Sequence, residues 1–336
     1  MGLLKYEDFP AGEIIEYGAY KITAGEIIAF ALEYDPQAFH TDPEAAKTLM
    51  LGGHAASGWH TAAIGMRINF DGFVRASDSW GGPGVEELRW LRPVRPGDVL
   101  SVRRRTLGRR VSKSRPEMGF VEFMIETLNQ RRETVMTQHW FFMIGRRAPG
   151  SPDPHGTPPY VAKPLPPLPP VTAAPPEGAQ FFDDVPLGMR RAIGSHTFKS
   201  DDIIRFARAY DPQPFHLSEE GAAKSHFGRL AASGWHTACV WMKLMIAERD
   251  RRDAGLLERG LRLPAPGPSP GFRQMRWNAP VFSGDTVTYD SIIAEKRVSA
   301  SRPGWGLVFF HNSGVNQHGV KVFEFRGSAF WERRAA

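Results

Sequence analysis

Tyr34-Asp35-Pro36-Gln37-Ala38-Phe39-His40 decides the fold, because it occurs twice: it returns as Tyr210-Asp211-Pro212-Gln213-Pro214-Phe215-His216, displaced by 176 positions. Each copy closes a run with helical spacing and places a carboxylate five residues before an imidazole. The residues sit on a Pro-containing bend, irregular backbone of the kind that scaffolded sites use. Working outward, the flanks repeat too. Glu7 to Gly12 reads E-D-F-P-A-G and Asp183 to Gly188 reads D-D-V-P-L-G at the same offset. Thr23 with Glu26 forms a capping box, and Ile27, Ile28, Phe30, Ala31 and Tyr34 supply an apolar helix face. In the second copy Ser200 is expected to cap, with Asp201 and Asp202 complementing the dipole, and Ile203, Ile204, Phe206, Ala207 and Tyr210 repeat the face.

Downstream, short helices are expected from Pro43 to Leu49 and from Glu219 to Ser225. Ala55-Ala56-Ser57-Gly58-Trp59-His60-Thr61-Ala62 then recurs unchanged at Ala231 to Ala238, each copy followed by an apolar run long enough for a buried helix. From there alternating patterns predict strands. Arg89-Trp90, Ser114-Arg115-Pro116 and Asn129-Gln130 answer to Arg276-Trp277, Ser301-Arg302-Pro303 and Asn316-Gln317, now displaced by 187. The second half has therefore gained 11 residues, of which the proline-rich Leu263 to Gly271 is the obvious part. That insertion is expected to border the second bend, which makes Asp211 and His216 the slightly favoured pair. Pro149 to Pro176 holds 12 of the 28 prolines, too many for a packed core, and reads as an extended linker. The expected organisation is a domain over residues 1–148, a linker over 149–176 and a domain over 177–336. Each domain is α+β, with a buried helix laid against an antiparallel sheet.

Composition narrows the function. The 336 residues are 42% hydrophobic and 23% charged, as in ordinary globular proteins. A single cysteine, Cys239, excludes an internal disulfide and suits a reducing compartment. Neither a signal-peptide core nor an apolar run of about 18 residues is present, so a cytoplasmic protein without membrane contact is expected. The net charge of +6 is dispersed, and no recognition motif accompanies it, so a nucleic-acid partner is the least favoured.

A carboxylate and a neutral imidazole converging on one water can activate it. Asp35 with His40 and Asp211 with His216 are the candidate catalytic pairs, set against the plain reading of Asp as a turn cap. Ser57-Gly58 and Ser233-Gly234 start buried helices, where free amides favour a developing oxyanion. Arg115 and Arg302 are candidate phosphate contacts, or solvated hairpin residues. His60 and His236 read as core histidines, and His54 has no counterpart. No zinc or iron ligand set, G-x-S-x-G elbow or glycine-rich nucleotide fingerprint is evident.

These segments resemble the MaoC-like dehydratases, which include the (R)-specific enoyl-CoA hydratases. The resemblance rests on Y-D-P-Q-A-F-H-T-D with Ala45-Ala46, on Y-D-P-Q-P-F-H and on the two A-S-G-W-H-T segments, and it covers both halves. It implies two hot-dog domains fused as a pseudo-dimer, with homo-oligomers of such units possible. It also implies that the Asp–His dyads hold the water that adds across a trans-2-enoyl-CoA, or leaves a 3-hydroxyacyl-CoA. Gly58 and Gly234 would offer the oxyanion amide; CoA belongs to the substrate, and no cofactor or metal is implied. The residue before that glycine is often His in the family, whereas Ser57 and Ser233 stand here. A hot-dog thioesterase and a non-catalytic acyl-CoA-binding protein are the alternatives.

Overall fold

The computed structural model describes residues 2–172, 178 and 180–334. The first half runs β1 (Ile14–Lys21), α1 (Ala24–Tyr34), α2 (Ala38–Thr41), α3 (Gly58–Gly72), β2 (Gly84–Trp90), β3 (Val99–Val111), β4 (Met118–Leu128) and β5 (Thr134–Gly145). The second runs β6 (Arg190–Thr197), α4 (Ser200–Tyr210), α5 (Pro214–Leu217), α6 (Glu219–Ala223), α7 (Gly234–Glu258), β7 (Gly271–Trp277), β8 (Thr286–Val298), β9 (Trp305–Asn316) and β10 (Lys321–Glu332). All strand pairs are antiparallel and form one ten-stranded sheet, ordered β1-β3-β4-β5-β2-β7-β10-β9-β8-β6. This is the double hot-dog arrangement that the resemblance implied.

Strand alternation explains which side faces the helices. Val121, Phe123 and Ile125 of β4 are fully buried, while Glu122, Met124 and Glu126 between them are only partly so. The two halves meet at β2 and β7, where Gly84 pairs with Arg276 and Arg89 with Gly271, a register that maps onto itself when the halves are exchanged. Inside, the helices interlock across the same pseudo-twofold axis. Phe30 of α1 meets Tyr210 of α4, and Tyr34 meets Phe206, both edge to face. One core cluster therefore spans both halves.

Most local expectations agree with the structure, and two need correcting. Thr23 and Glu26 close a capping box at α1. In α4 the N-cap is Lys199, without a side-chain cap; Ser200 is already helical, and its hydroxyl contacts Ser283 Oγ at 2.6 Å instead. The bends are also more regular than expected. Asp35 and Asp211 are helix C-caps, whereas His40 and His216 lie on the short helices α2 and α5. Of the proline-rich stretch, residues 173–176 lie outside the described residues. The rest crosses the strands: Asp153 reaches Arg109 of β3, Tyr160 packs on His139 of β5, Lys163 accepts from Gln274 of β7 and Pro166 from Arg326 of β10. Among the described residues no helix is long and apolar enough to cross a membrane.

Candidate active site

The geometry of the first Asp–His pair follows from how α1 ends. The Asp35 N–H closes the helix on Ala31 O at 2.8 Å, and Pro36 cannot continue it. Gln37 then starts α2, which turns His40 back toward Asp35. His40 Nε2 stands 3.5 Å from Asp35 Oδ2, and both side chains are buried. His40 Nδ1 lies 2.8 Å from the Ala55 carbonyl oxygen, which can only accept, so Nδ1 carries the proton. In the neutral ring Nε2 then offers its lone pair beside the carboxylate.

The carboxylate is held on both oxygens. Gln37 Nε2 donates to Oδ1 at 2.8 Å, and Ser57 Oγ donates to Oδ2 at 2.6 Å. Ser57 also caps α3 by accepting from Trp59 N at 3.2 Å. Gln37 is itself oriented from the other half, because Arg249 Nη1 of α7 donates to its Oε1 at 2.8 Å. The second pair repeats this almost atom for atom: His216 Nε2 to Asp211 Oδ2 3.5 Å, Ser233 Oγ to Oδ2 2.6 Å, Gln213 Nε2 to Oδ1 3.0 Å and His216 Nδ1 to Ala231 O 2.7 Å. Burial holds His216 below the usual imidazole range, opposed by Asp211.

What distinguishes the two pairs is the space in front of them. A cavity of about 930 Å³ is lined by Asp35, His40 and Gly58, and it does not reach Asp211 or His216. It extends between α7 and the inner face of the second-half sheet, past Trp241, Met242 and Met245. Smaller residues at strand positions related by the 187-residue offset leave the hollow. Arg104, Trp140 and Phe142 fill the first half, where the second half has Ser291, Gly327 and Ala329. The register agrees, since Phe123 pairs with Trp140 and Phe310 with Gly327. Over the second pair, the first-half segment before β2 closes in. Ser79 Oγ donates to Gln213 Oε1 at 2.8 Å, and Trp80 stacks on His226 at 5.5 Å.

The insertion is therefore placed differently from the sequence expectation. Leu263 to Gly271 lines the cavity of Asp35 and His40, not the second pair. The pseudo-twofold arrangement sets each half's strands in front of the other half's dyad, so chain proximity misleads. Arg302 accordingly lies in the first cavity wall, its Cζ 5.8 Å from the Phe330 ring. Arg115 is not in that wall; it pairs with Glu117 at 3.1 Å and covers Trp80. Ser57 and Ser233 sit behind the carboxylates as donors rather than facing the cavity. Gly58 does face it, and as the first residue of α3 its N–H has no intrahelical acceptor. Only glycine fits at 58 and 234, because a Cβ would run into the Trp90 or Trp277 indole. His60 and His236 are core residues stacked on Phe30 and Phe206, and burial pushes each down to about 3. Among the described residues no cluster of three or more His, Cys, Asp or Glu could hold a metal ion.

Gln37 and Gln213 were not singled out from the sequence, although both lie inside the repeated Y-D-P-Q, and that recurrence was the available signal. Arg249 carried no signal at all.

A family model described as a MaoC like domain matches residues 10–121 and 184–302, more than half of the chain. An uncharacterised Bacillus subtilis protein, YdeM, is 27% identical over 143 residues, covering 43% of this chain and all of that one. A 3-hydroxybutyryl-CoA dehydratase of Methylorubrum extorquens is 30% identical over 116 residues, 34% of this chain and 64% of that one. Among solved structures, a MaoC domain protein from Chloroflexus aurantiacus superposes with a TM-score of 0.82 at 20% identity, over 99% of this chain and 98% of that one. A conserved hypothetical protein from Mycobacterium tuberculosis with a double hotdog fold gives 0.70 at 15% identity, over 98% of each. At these identities the two superpositions speak to the fold.

Proposed function

Because the chain belongs to the MaoC-like domain family, we propose that it reversibly hydrates a trans-2-enoyl-CoA at Asp35 and His40. The supporting observation is His40 Nε2 standing 3.5 Å from Asp35 Oδ2 at the wall of a cavity large enough for an acyl chain. A water hydrogen-bonded to both atoms faces the bound thioester. Its oxygen attacks the β-carbon while the dyad takes one of its protons, and the electron pair of the double bond moves toward the thioester oxygen. The Gly58 N–H stabilises that enolate-like charge. The dyad then returns the proton to the α-carbon on the same face, so the step adds one water, syn, and reversal releases it. Gln37 and Ser57 hold the carboxylate in place throughout. CoA enters as part of the substrate, and no oxidant or reductant is consumed. The second dyad, closed off from this cavity, serves the fold.

The test follows the conjugated enoyl absorbance of a trans-2-enoyl-CoA mixed with the protein, while a thiol reagent reports free CoA. Loss of absorbance without thiol release supports hydration. Thiol release would show a thioesterase instead, in which the same water attacks the carbonyl. Stabilisation by acyl-CoA with neither signal would leave a binding protein.

A further inference from the structure

One wall of the cavity is not built for a plain hydrocarbon tail. Arg191 of β6, Ser291 of β8 and Asn312 of β9 lie directly opposite one another across the strands, and all three line the cavity. Asn312 is only 1% exposed, yet neither its Nδ2 nor its Oδ1 has a hydrogen-bond partner. Arg191 Nε and Nη2 are likewise buried and unpartnered. No carboxylate of a described residue lies within ion-pair distance of Arg191. The acids of the same cavity wall are already engaged: Glu248 and Asp253 with Arg252 at 3.6 and 3.0 Å, Asp250 with Arg249 at 3.2 Å. Arg104 of the first half, the counterpart of Ser291, does have a carboxylate: its Nη2 pairs with Glu13 at 2.6 Å. Buried donors without acceptors are costly, and a charged one most of all.

We propose that the cavity takes thioesters whose acyl chain ends in a carboxylate, bound by Arg191 and Asn312 with Ser291 beside them. A carboxylate supplies the acceptors that a guanidinium and an amide N–H₂ lack here, in surroundings where charge-assisted bonds are strong. The remaining wall, with Trp241, Phe310 and Phe325, packs the methylene stem. The substrate class is then a CoA monothioester of an unsaturated dicarboxylic acid. The thioester end of this inference rests on the hydratase reading, and the carboxylate end rests on the unpaired row alone.

Calorimetric titration of the full chain separates the two. Saturated succinyl-, glutaryl- and adipyl-CoA are compared with butyryl-, valeryl- and hexanoyl-CoA, none of which can be hydrated. The carboxylated member of at least one pair is expected to bind about ten- to a hundred-fold more tightly. Arg191→Met and Asn312→Leu are expected to bring that ratio toward one, whereas a merely structural role would weaken both members and leave the ratio. Melting curves establish that the variants fold; should one fail, the other carries the test, together with Arg191→Lys, which should keep part of the preference. Equal affinities in the unaltered protein, or a ratio untouched by these substitutions, overturn the proposal and leave a water-filled pocket. Turnover of the enoyl-CoA forms, followed in parallel, tests the hydratase reading without affecting this outcome.

Discussion

Ser57→Ala and its pseudo-twofold twin Ser233→Ala separate stability from activity. Each serine donates to a buried aspartate Oδ2 at 2.6 Å and accepts from a helix N–H, Trp59 at 3.2 Å or Trp235 at 3.3 Å. Losing a hydrogen bond to a charged group costs about 1.5–3 kcal/mol, and losing an N-cap about 1 kcal/mol. Both variants should therefore lower the unfolding free energy by about 2.5–4 kcal/mol, and by the same amount as each other. Their effects on catalysis should differ. Only Asp35 faces the cavity, so Ser57→Ala should reduce kcat/KM for a 2-enoyl-CoA by about ten- to a hundred-fold, at 1.4 kcal/mol per factor of ten. Ser233→Ala should leave the rate of the folded protein near that of the parent. Urea denaturation followed by tryptophan fluorescence gives the stabilities, and initial rates give the activities. Equal rate losses in the two variants would refute the assignment of the working site to the first dyad. Unequal stability losses would refute the equivalence of the two carboxylate cradles.

Two further expectations follow from the core and the hollow. His60 and His236, pushed by burial from 6.5 to about 3, are uncharged in the fold and take up protons on unfolding below the ordinary imidazole value. Stability should thus fall as pH drops from about 6.5 toward 3, by about 1.4 kcal/mol per pH unit for each group, and His60→Gln with His236→Gln should flatten that slope in urea midpoints. Gly327→Trp reinstates the ring that Trp140 supplies in the first half; since a Cβ at 327 already meets Phe325 at 2.9 Å and Asn312 Nδ2 at 3.2 Å, the indole must project into the cavity. Turnover of longer acyl chains should be lost first, with about 1–3 kcal/mol of overpacking strain, and an unchanged chain-length profile would argue against the cavity as the acyl site.

The duplicated helix-and-dyad frame was legible because its determinants are local. A capping box at Thr23 and Glu26, an apolar face ending at Tyr34 and a proline after the aspartate act within a few residues of each other. Ser57 and Ser233 stand out in the sequence as residues at a helix start, but the hydrogen bond each hydroxyl gives its aspartate does not, since a side chain's direction there depends on what it meets in the fold. Which dyad owns the cavity could not be read locally. That depends on β6 to β10 lying in front of the other half's helices, and on Ser291, Gly327 and Ala329 replacing Arg104, Trp140 and Phe142. Those differences were visible at the 187-residue offset, but their meaning required the exchange of faces across the pseudo-twofold axis. Gln37 held by Arg249 is a contact over 212 positions, beyond any local pattern.

The most direct test replaces each dyad's aspartate in turn and measures hydration of a trans-2-enoyl-CoA by loss of its conjugated absorbance. Asp35→Asn keeps the shape but removes the carboxylate from the dyad, and should lower the rate by about 10²–10⁴-fold, while Asp211→Asn keeps most of it. Full turnover by a folded Asp35→Asn variant would contradict the account.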